Sequence, residues 1–186
     1  MRNDQGPRSI HELPLRDDIK KSIESGNVYS NSQVFSFTES DEKRQSLDFI
    51  IAGLHPKSCQ FALKKLSLYE KYKDFLSIIK ESDYDESTKQ ISFVFSHGLL
   101  PVSMGLIFNL PRIRKEGIFS FYFDRGFLAG LKGQIHVINN QGKCLFYTRA
   151  RWEGPHTGYS DTLFSFFSGA FTKLAMENLI RISSNY

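Results

Sequence analysis

Apolar and polar positions along this 186-residue chain follow two periods, helical near both ends and twofold through most of the middle. Leu15–Ser25 reads as a short amphipathic helix. Asp17 and Asp18 stand in its first turn, Lys20 and Lys21 follow, and Gly26 can end it in a left-handed conformation. From Gln33 to Thr38, Val34 and Ser36 alternate with Phe35 and Phe37, as in a strand. Leu47–Leu54 is a second strand-like run. The charged stretch Glu39–Arg44 joins the two through a loop longer than a tight turn. His55-Pro56 then breaks the strand.

A helix starting at Pro56 or Lys57 runs through Ser67. A second, Leu68–Ile78, carries Tyr69, Tyr72, Phe75 and Leu76 at helical spacings. The pattern changes again at Lys89. Lys89–His97, Val102–Leu110, Gly117–Asp124, Lys132–Asn139 and Lys143–Trp152 read as short strands. Turn residues at Pro111, Arg125-Gly126 and Asn140-Gln141-Gly142 separate some of them. This is a meander of antiparallel strands. The last element is a long helix capped by Ser160-Asp161 and running to Ser183. Lys173, Glu177 and Arg181 line one side, and Phe164, Phe167, Phe171, Ala175 and Ile182 the opposite side. Phe166 falls on the charged side, where burial does not account for it.

This order predicts an α+β fold: a curved antiparallel sheet wrapped around one long C-terminal helix, with two short helices after the first strand. The space between sheet and helix is the natural place for an apolar pocket. The order resembles the helix-grip fold of the START/polyketide-cyclase (SRPBCC) superfamily, and most of all its coenzyme Q-binding, START-like branch. Tyr72-Lys73-Asp74-Phe75-Leu76 is similar to that branch's Tyr-x-x-Phe-Leu. Gly126–Gly133 is similar to its Gly-Pro-Phe-x-x-Leu-x-Gly, with Phe127 in place of Pro and Leu128 in place of Phe. Ile135 stands where Trp is common. The resemblance spans residues 45–183. It implies residues 45–186 as the START-like domain and 1–44 as an N-terminal extension holding a short helix and an extra strand. Relatives of this kind bind lipids, isoprenoid quinones, polyketides or hormones, and some catalyse cyclisations.

Composition adds a surplus of Phe, 17 residues against 8 Tyr and 1 Trp, which excludes a disordered chain and calls for a large apolar interior. The expected ligand-binding residues are Phe93, Phe95, Met104, Leu106, Tyr122, His136, Phe164, Phe167 and Phe171. The apolar ones form a greasy lining, while polar strand positions such as Ser120, Tyr122, His136 and Thr148 orient a head group. A packed core at ordinary density is the competing reading of the same residues. Phe127, Leu128 and Leu131, between glycines, are the expected gate or membrane contact; alternatively they tuck under the helix.

The net charge of +4 is modest, and no Lys/Arg run suits a nucleic-acid partner. Arg112, Arg114 and Lys115 are either an anionic-membrane contact or a solvated basic turn. Cys59 and Cys144 lack metal or redox spacing and read as two reduced, buried thiols. With no apolar leader in the first residues, the expected setting is cytoplasmic, with peripheral contact to the inner face of a membrane. Glu153, His156, Asp161 and His136 are the available acid–base groups. None stands in a recognisable catalytic motif, so no catalytic residue, metal ligand or cofactor is assigned. The function expected is non-enzymatic binding or transport of a lipid or isoprenoid quinone. A small-molecule cyclase or hydrolase and a protein-interaction module are the alternatives.

Overall fold

The computed structural model describes residues 6–96 and 104–185, Met104 by its backbone alone. His97 and Val102, at the outer ends of two expected strands, lie outside the described residues. After a 3-10 turn at Ile10–Glu12, helix α1 (Asp17–Glu24) gives way at Gly26, whose φ of +93° a residue with a side chain rarely adopts. Strands β1 (Tyr29–Glu39) and β2 (Glu42–His55) form a hairpin in full register from Tyr29↔Ala52 to Glu39↔Glu42. Its turn is tight: Ser40 and Asp41 both have positive φ, 49° and 65°. The longer loop expected from the charges is therefore absent. Those charges stay in exposed strand, where Arg44 pairs with Glu39 at 3.1 Å.

Helix α2 (Cys59–Leu66) begins after Ser58, whose hydroxyl accepts from the Phe61 N–H, later than the proline suggested. The second expected helix is broken into a 3-10 turn, Tyr69–Lys71, and the single turn α3 (Tyr72–Phe75). The Ser82 hydroxyl explains the break. It accepts from the Lys73 N–H and donates to the Glu70 carbonyl, tying the segment to the next strand. That strand, β3 (Ile79–Asp85), has no counterpart in the sequence-based reading. It is an edge strand rich in charge, as exposed edges commonly are. The meander continues through β4 (Gln90–Phe95), β5 (Met104–Asn109), β6 (Gly117–Gly126), β7 (Lys132–Asn140) and β8 (Lys143–Pro155). One antiparallel sheet results, in the order β1-β2-β8-β7-β6-β5-β4-β3. The long helix α4 (Asp161–Ser184) crosses its inner face, giving the α+β helix-grip architecture.

Parity on the strands separates two apolar layers. On β8, Leu145 and Tyr147 face outward and join Ala52, Leu54 and Ile138 beneath Ile10, Leu13 and Ile23. Cys144, Phe146, Ala150 and Trp152 face inward, toward the helices. At its start α4 meets β1 through small polar residues. Ser30 donates to the Gly169 carbonyl at 3.1 Å, and Ser165 and Ser168 bond to Ser32. Gly169 allows this approach, with the Ser32 Cβ 3.6 Å from where its own Cβ would stand.

Cys59 and Cys144 are joined by a disulfide, which overturns their reading as two free thiols. Sequence separation concealed the pair. The β2–β8 register sets His55 opposite Cys144, and the Cys144 N–H then bonds the Lys57 carbonyl, so the start of α2 lies against β8. Disulfides persist mainly in oxidising surroundings, so this bond does not follow from the cytoplasmic setting expected above. No helix among the described residues is long and apolar enough to cross a membrane.

Candidate functional site

Between α2, α3, the C-terminal half of α4 and the sheet lies a cavity of about 240 Å³. Leu63 and Leu66 of α2 and Met176, Leu179 and Ile180 of α4 form one wall. Ile91, Phe93, Phe108, Ile135, Phe146 and Thr148 form the opposing wall, on the sheet. Tyr69, Tyr72, Leu110 and Ile113 close the end.

Two of the three hydroxyls on the lining are committed to the backbone. Tyr72 donates to the Leu66 carbonyl at 2.7 Å, while Tyr69 donates to Pro111 and accepts from the Ile113 N–H. Burial pushes both phenols above their ordinary range, so neither offers a proton-transfer group near neutral pH. Thr148 is the third.

Arg112 braces the closed end. It donates to the Ser67 carbonyl at 2.6 Å, pairs with Glu86 at 2.9 Å and Glu70 at 3.1 Å, and lies 4.4 Å over the Tyr84 ring. Arg114 also reaches Glu86, at 3.6 Å. The basic turn is thus largely neutralised within the chain, and its first arginine is a brace between loops.

Of the residues expected to bind ligand, Phe93 and the head-group candidate Thr148 line the cavity. Phe95 stands behind it, edge-on to Phe93 at 6.0 Å and to Phe171 at 5.1 Å. Leu106 is half-buried where the two inner clusters meet. Met104 pairs with Phe95 on the sheet, and its side chain is outside the described residues. Phe164 is buried at the other end of the groove, against Trp152 at 6.0 Å, and half-buried Phe167 touches exposed Phe166. Tyr122 is 49% exposed. His136 is buried on the outer face against Tyr147, since its neighbour Ile135 points inward; desolvation lowers its pKa.

Leu131 is buried and Phe127 and Leu128 are half-buried, with Phe127 against Phe164 at 5.8 Å and Tyr159 at 6.3 Å. The Trp152 indole N–H holds this loop through the Ala129 carbonyl at 3.0 Å. The gate residues therefore pack as a plug at the far end of the groove from the cavity.

The acid–base candidates hold the chain together. Glu153 pairs with Arg44, and the His156 ring nitrogen accepts from the Gly158 N–H. Asp161 accepts from the Ser36 N–H and hydroxyl and from the Gln45 amide, bonds that hold its pKa below the usual carboxylate value. Gln45, fully buried and unremarked in the sequence, is the hub of this cluster. Its amide also reaches the Tyr159 carbonyl, and its oxygen accepts from the Thr157 N–H and hydroxyl. The signal was available: Gln45 shares the parity of Leu47, Phe49 and Ile51, a polar residue in an apolar column. The cavity-lining residues of α2 and the end of α4 had no such signal, because an ordinary apolar helix face looks the same over a cavity as over a core.

No protein-family model matches the chain, and no curated protein matches it in sequence. Solved structures do match in fold. A START superfamily protein from Mycobacterium smegmatis is 11% identical with a TM-score of 0.57, over 75% of this chain and 99% of its own. The di-domain ARO/CYC StfQ from the steffimycin biosynthetic pathway is 10% identical with a TM-score of 0.58, over 75% of this chain and 49% of the di-domain. TTHA0849 from Thermus thermophilus is 8% identical with a TM-score of 0.57, over 74% of this chain and 94% of its own. At these identities the likeness is one of fold.

Proposed function

We propose that this chain binds or carries a hydrophobic small molecule, a compact quinone or a short-chain lipid, in the cavity between its sheet and α4. The observation that carries the reading is an apolar space of about 240 Å³ in a well-formed fold. Close-packed interiors leave few voids larger than a water molecule. Size narrows the ligand. Cavities of about 150 Å³ admit benzene and drug-sized pockets run from roughly 300 Å³ upward, so a ring system or short chain fits here and a twenty-carbon tail does not. A fused-ring ligand burying about 200 Å² would gain about 5 kcal/mol, which corresponds to dissociation constants of roughly 0.1–1 mM from burial alone. The matching fold of a START superfamily protein and of an ARO/CYC di-domain supports a cavity-based role.

Organic extraction of the purified protein followed by mass spectrometry tests this directly, together with thermal shifts on adding duroquinone and a long-chain isoprenoid quinone. The expected result is a co-purifying apolar compound, or a Tm rise with duroquinone that exceeds that with the long-chain compound. An empty extract and an unmoved Tm would refute it.

A second reading, a protein-contact surface, has one observation in its favour: Leu163, Phe166 and Leu174 of α4 are exposed by 42%, 66% and 50% on one side of the helix. Replacing Phe166 with Ser would then abolish a pull-down partner without changing ligand binding.

A further inference from the structure

The inner column of β8 runs Cys144, Phe146, Thr148, Ala150, Trp152, apolar except at its centre. Pairing places Thr148 between Ile51 of β2 and Ile135 of β7, and Ile135 in turn faces Phe119 of β6. In this row of large apolar side chains, Val would fill the same volume as Thr, so packing alone does not call for the hydroxyl. That hydroxyl carries one donor and two acceptor sites. Thr148 forms no side-chain hydrogen bond to any described residue. Its flanking residues on the strand, Phe146 and Ala150, are both buried, whereas Thr148 is partly accessible and lines the cavity. The other two hydroxyls on the lining are held by the backbone, as described above. Thr148 is thus a polar group that packing does not explain, presented to a space that is otherwise apolar.

We propose that Thr148 is the recognition point of the cavity, and that the ligand is a compact ring compound carrying a hydroxyl or carbonyl oxygen that bonds its Oγ1. This rests on the binding role proposed above and adds to it the chemical class of the ligand. An oxygenated ring gains affinity over its parent hydrocarbon because the Thr148 hydroxyl then finds a partner against an otherwise apolar lining. One neutral hydrogen bond corresponds to about 3- to 10-fold in affinity.

The test uses 2-naphthol and naphthalene as probes, titrated calorimetrically into the full chain and into Thr148→Val and Thr148→Ser. Expected is a preference for 2-naphthol of about 3- to 10-fold in the unaltered chain, lost in Thr148→Val and kept in Thr148→Ser, with naphthalene affinity unchanged by either. The Tm of Thr148→Val should not fall, whereas a hydroxyl with a structural partner would lower it. Equal affinity of the two probes for the unaltered chain, or a preference that survives in Thr148→Val, overturns the assignment of Thr148 and leaves the cavity reading standing. Failure of both probes to bind the unaltered chain overturns both.

Discussion

The two ends of the inner groove are built from similar residues and reach opposite outcomes. At one end Trp152, Phe164, Phe123, Leu131 and Ala150 close on one another, and Phe127 folds in over Phe164. At the other end Leu63, Leu66, Tyr72, Phe93, Met176 and Leu179 border about 240 Å³ of space. Aromatic content does not distinguish them. The difference is where the rings are tethered. Trp152 donates to a carbonyl of the loop between β6 and β7, so its bond holds that loop, with Phe127, in over the groove. Tyr72 bonds a carbonyl of the adjacent helical segment and stacks nearly parallel on Phe93, at 5.6 Å and 12°, while Tyr69 bonds the neighbouring loop at Pro111 and Ile113. Those rings are fixed at the closing end of the cavity, beside the space rather than in it. Hydrogen bonds at one end fill the groove, and at the other they keep it open.

The largest effect expected from altering either end comes from the Cys59–Cys144 disulfide, which fastens the α2 wall of the open end to β8 across a separation of 85 residues. Releasing a cross-link of that span gives the unfolded chain back about 4–5 kcal/mol of loop entropy. A double Cys59→Ala, Cys144→Ala variant should lose stability of that order by urea unfolding, and its ligand affinity should fall as α2 loosens. A loss below about 1 kcal/mol would mean that the cavity wall stands without its cross-link.

Next comes Trp152→Ala at the filled end. Removing the indole empties a packed site and orphans the Ala129 carbonyl, at a cost of about 3–5 kcal/mol. The loop carrying Phe127 and Leu128 should also exchange its amide hydrogens faster. If the open end is held by its own tethers, calorimetric binding there should change little, and a large change would show that the ends are coupled.

How much of this was legible follows the same division. Period-two runs from Lys89 onward marked the meander because each strand buries one face, and the final helix was marked by its charged stripe. β3 was hidden because an edge strand reading Ile-Lys-Glu-Ser-Asp-Tyr-Asp alternates too little to stand out from a loop. The disulfide was hidden because strand pairing, not spacing, brings its cysteines together. Within the groove, Phe164, Phe167 and Phe171 were expected at the pocket because they are large and share a face. Where along a helix a groove is filled or open depends on what reaches across from the other side, which no single-element pattern carries. Tyr122 and His136 illustrate the parity problem. Their identities suit a head-group contact, but one residue of register puts each away from the cavity.

Acid should weaken the frame at both ends, by smaller steps. Burial lowers the pKa of His55, whose ring accepts from the Lys57 N–H and reaches Ser183 near the end of α4. Asp161 is lowered by its bonds from Ser36 and Gln45 at the start of the same helix. Both folded values lie below the unfolded ones, so each contribution is complete above the unfolded pKa and is lost as pH falls through the folded one. The histidine contribution starts to fade below about pH 6.5 and the aspartate contribution below about pH 4. The Tm should decline in two stages between pH 7 and pH 3, and Asp161→Asn should flatten the more acidic stage.

The finest test compares two substitutions on one strand. Gly133 and Ile135 are both on the inner side of β7, two residues apart. A Cβ at Gly133 would press on the Arg149 backbone carbonyl and stand 2.8 Å from the Ala150 Cβ and from the Phe121 ring, closer than atoms approach without displacement. Gly133→Ala therefore overpacks the filled end and should cost about 1–3 kcal/mol, although it adds one methyl group. Ile135→Phe adds more atoms, but Ile135 borders the cavity and the new ring has space to enter. Its stability should change by less than about 1 kcal/mol in either direction. That substitution should nonetheless end the binding of naphthalene-sized probes, because it occupies the space they need. Urea unfolding of the two variants, with calorimetric titration of the second, makes the smaller substitution the costlier one for stability and the larger one the costlier for binding. If Gly133→Ala were tolerated and Ile135→Phe destabilising, the open and filled ends would have to be exchanged.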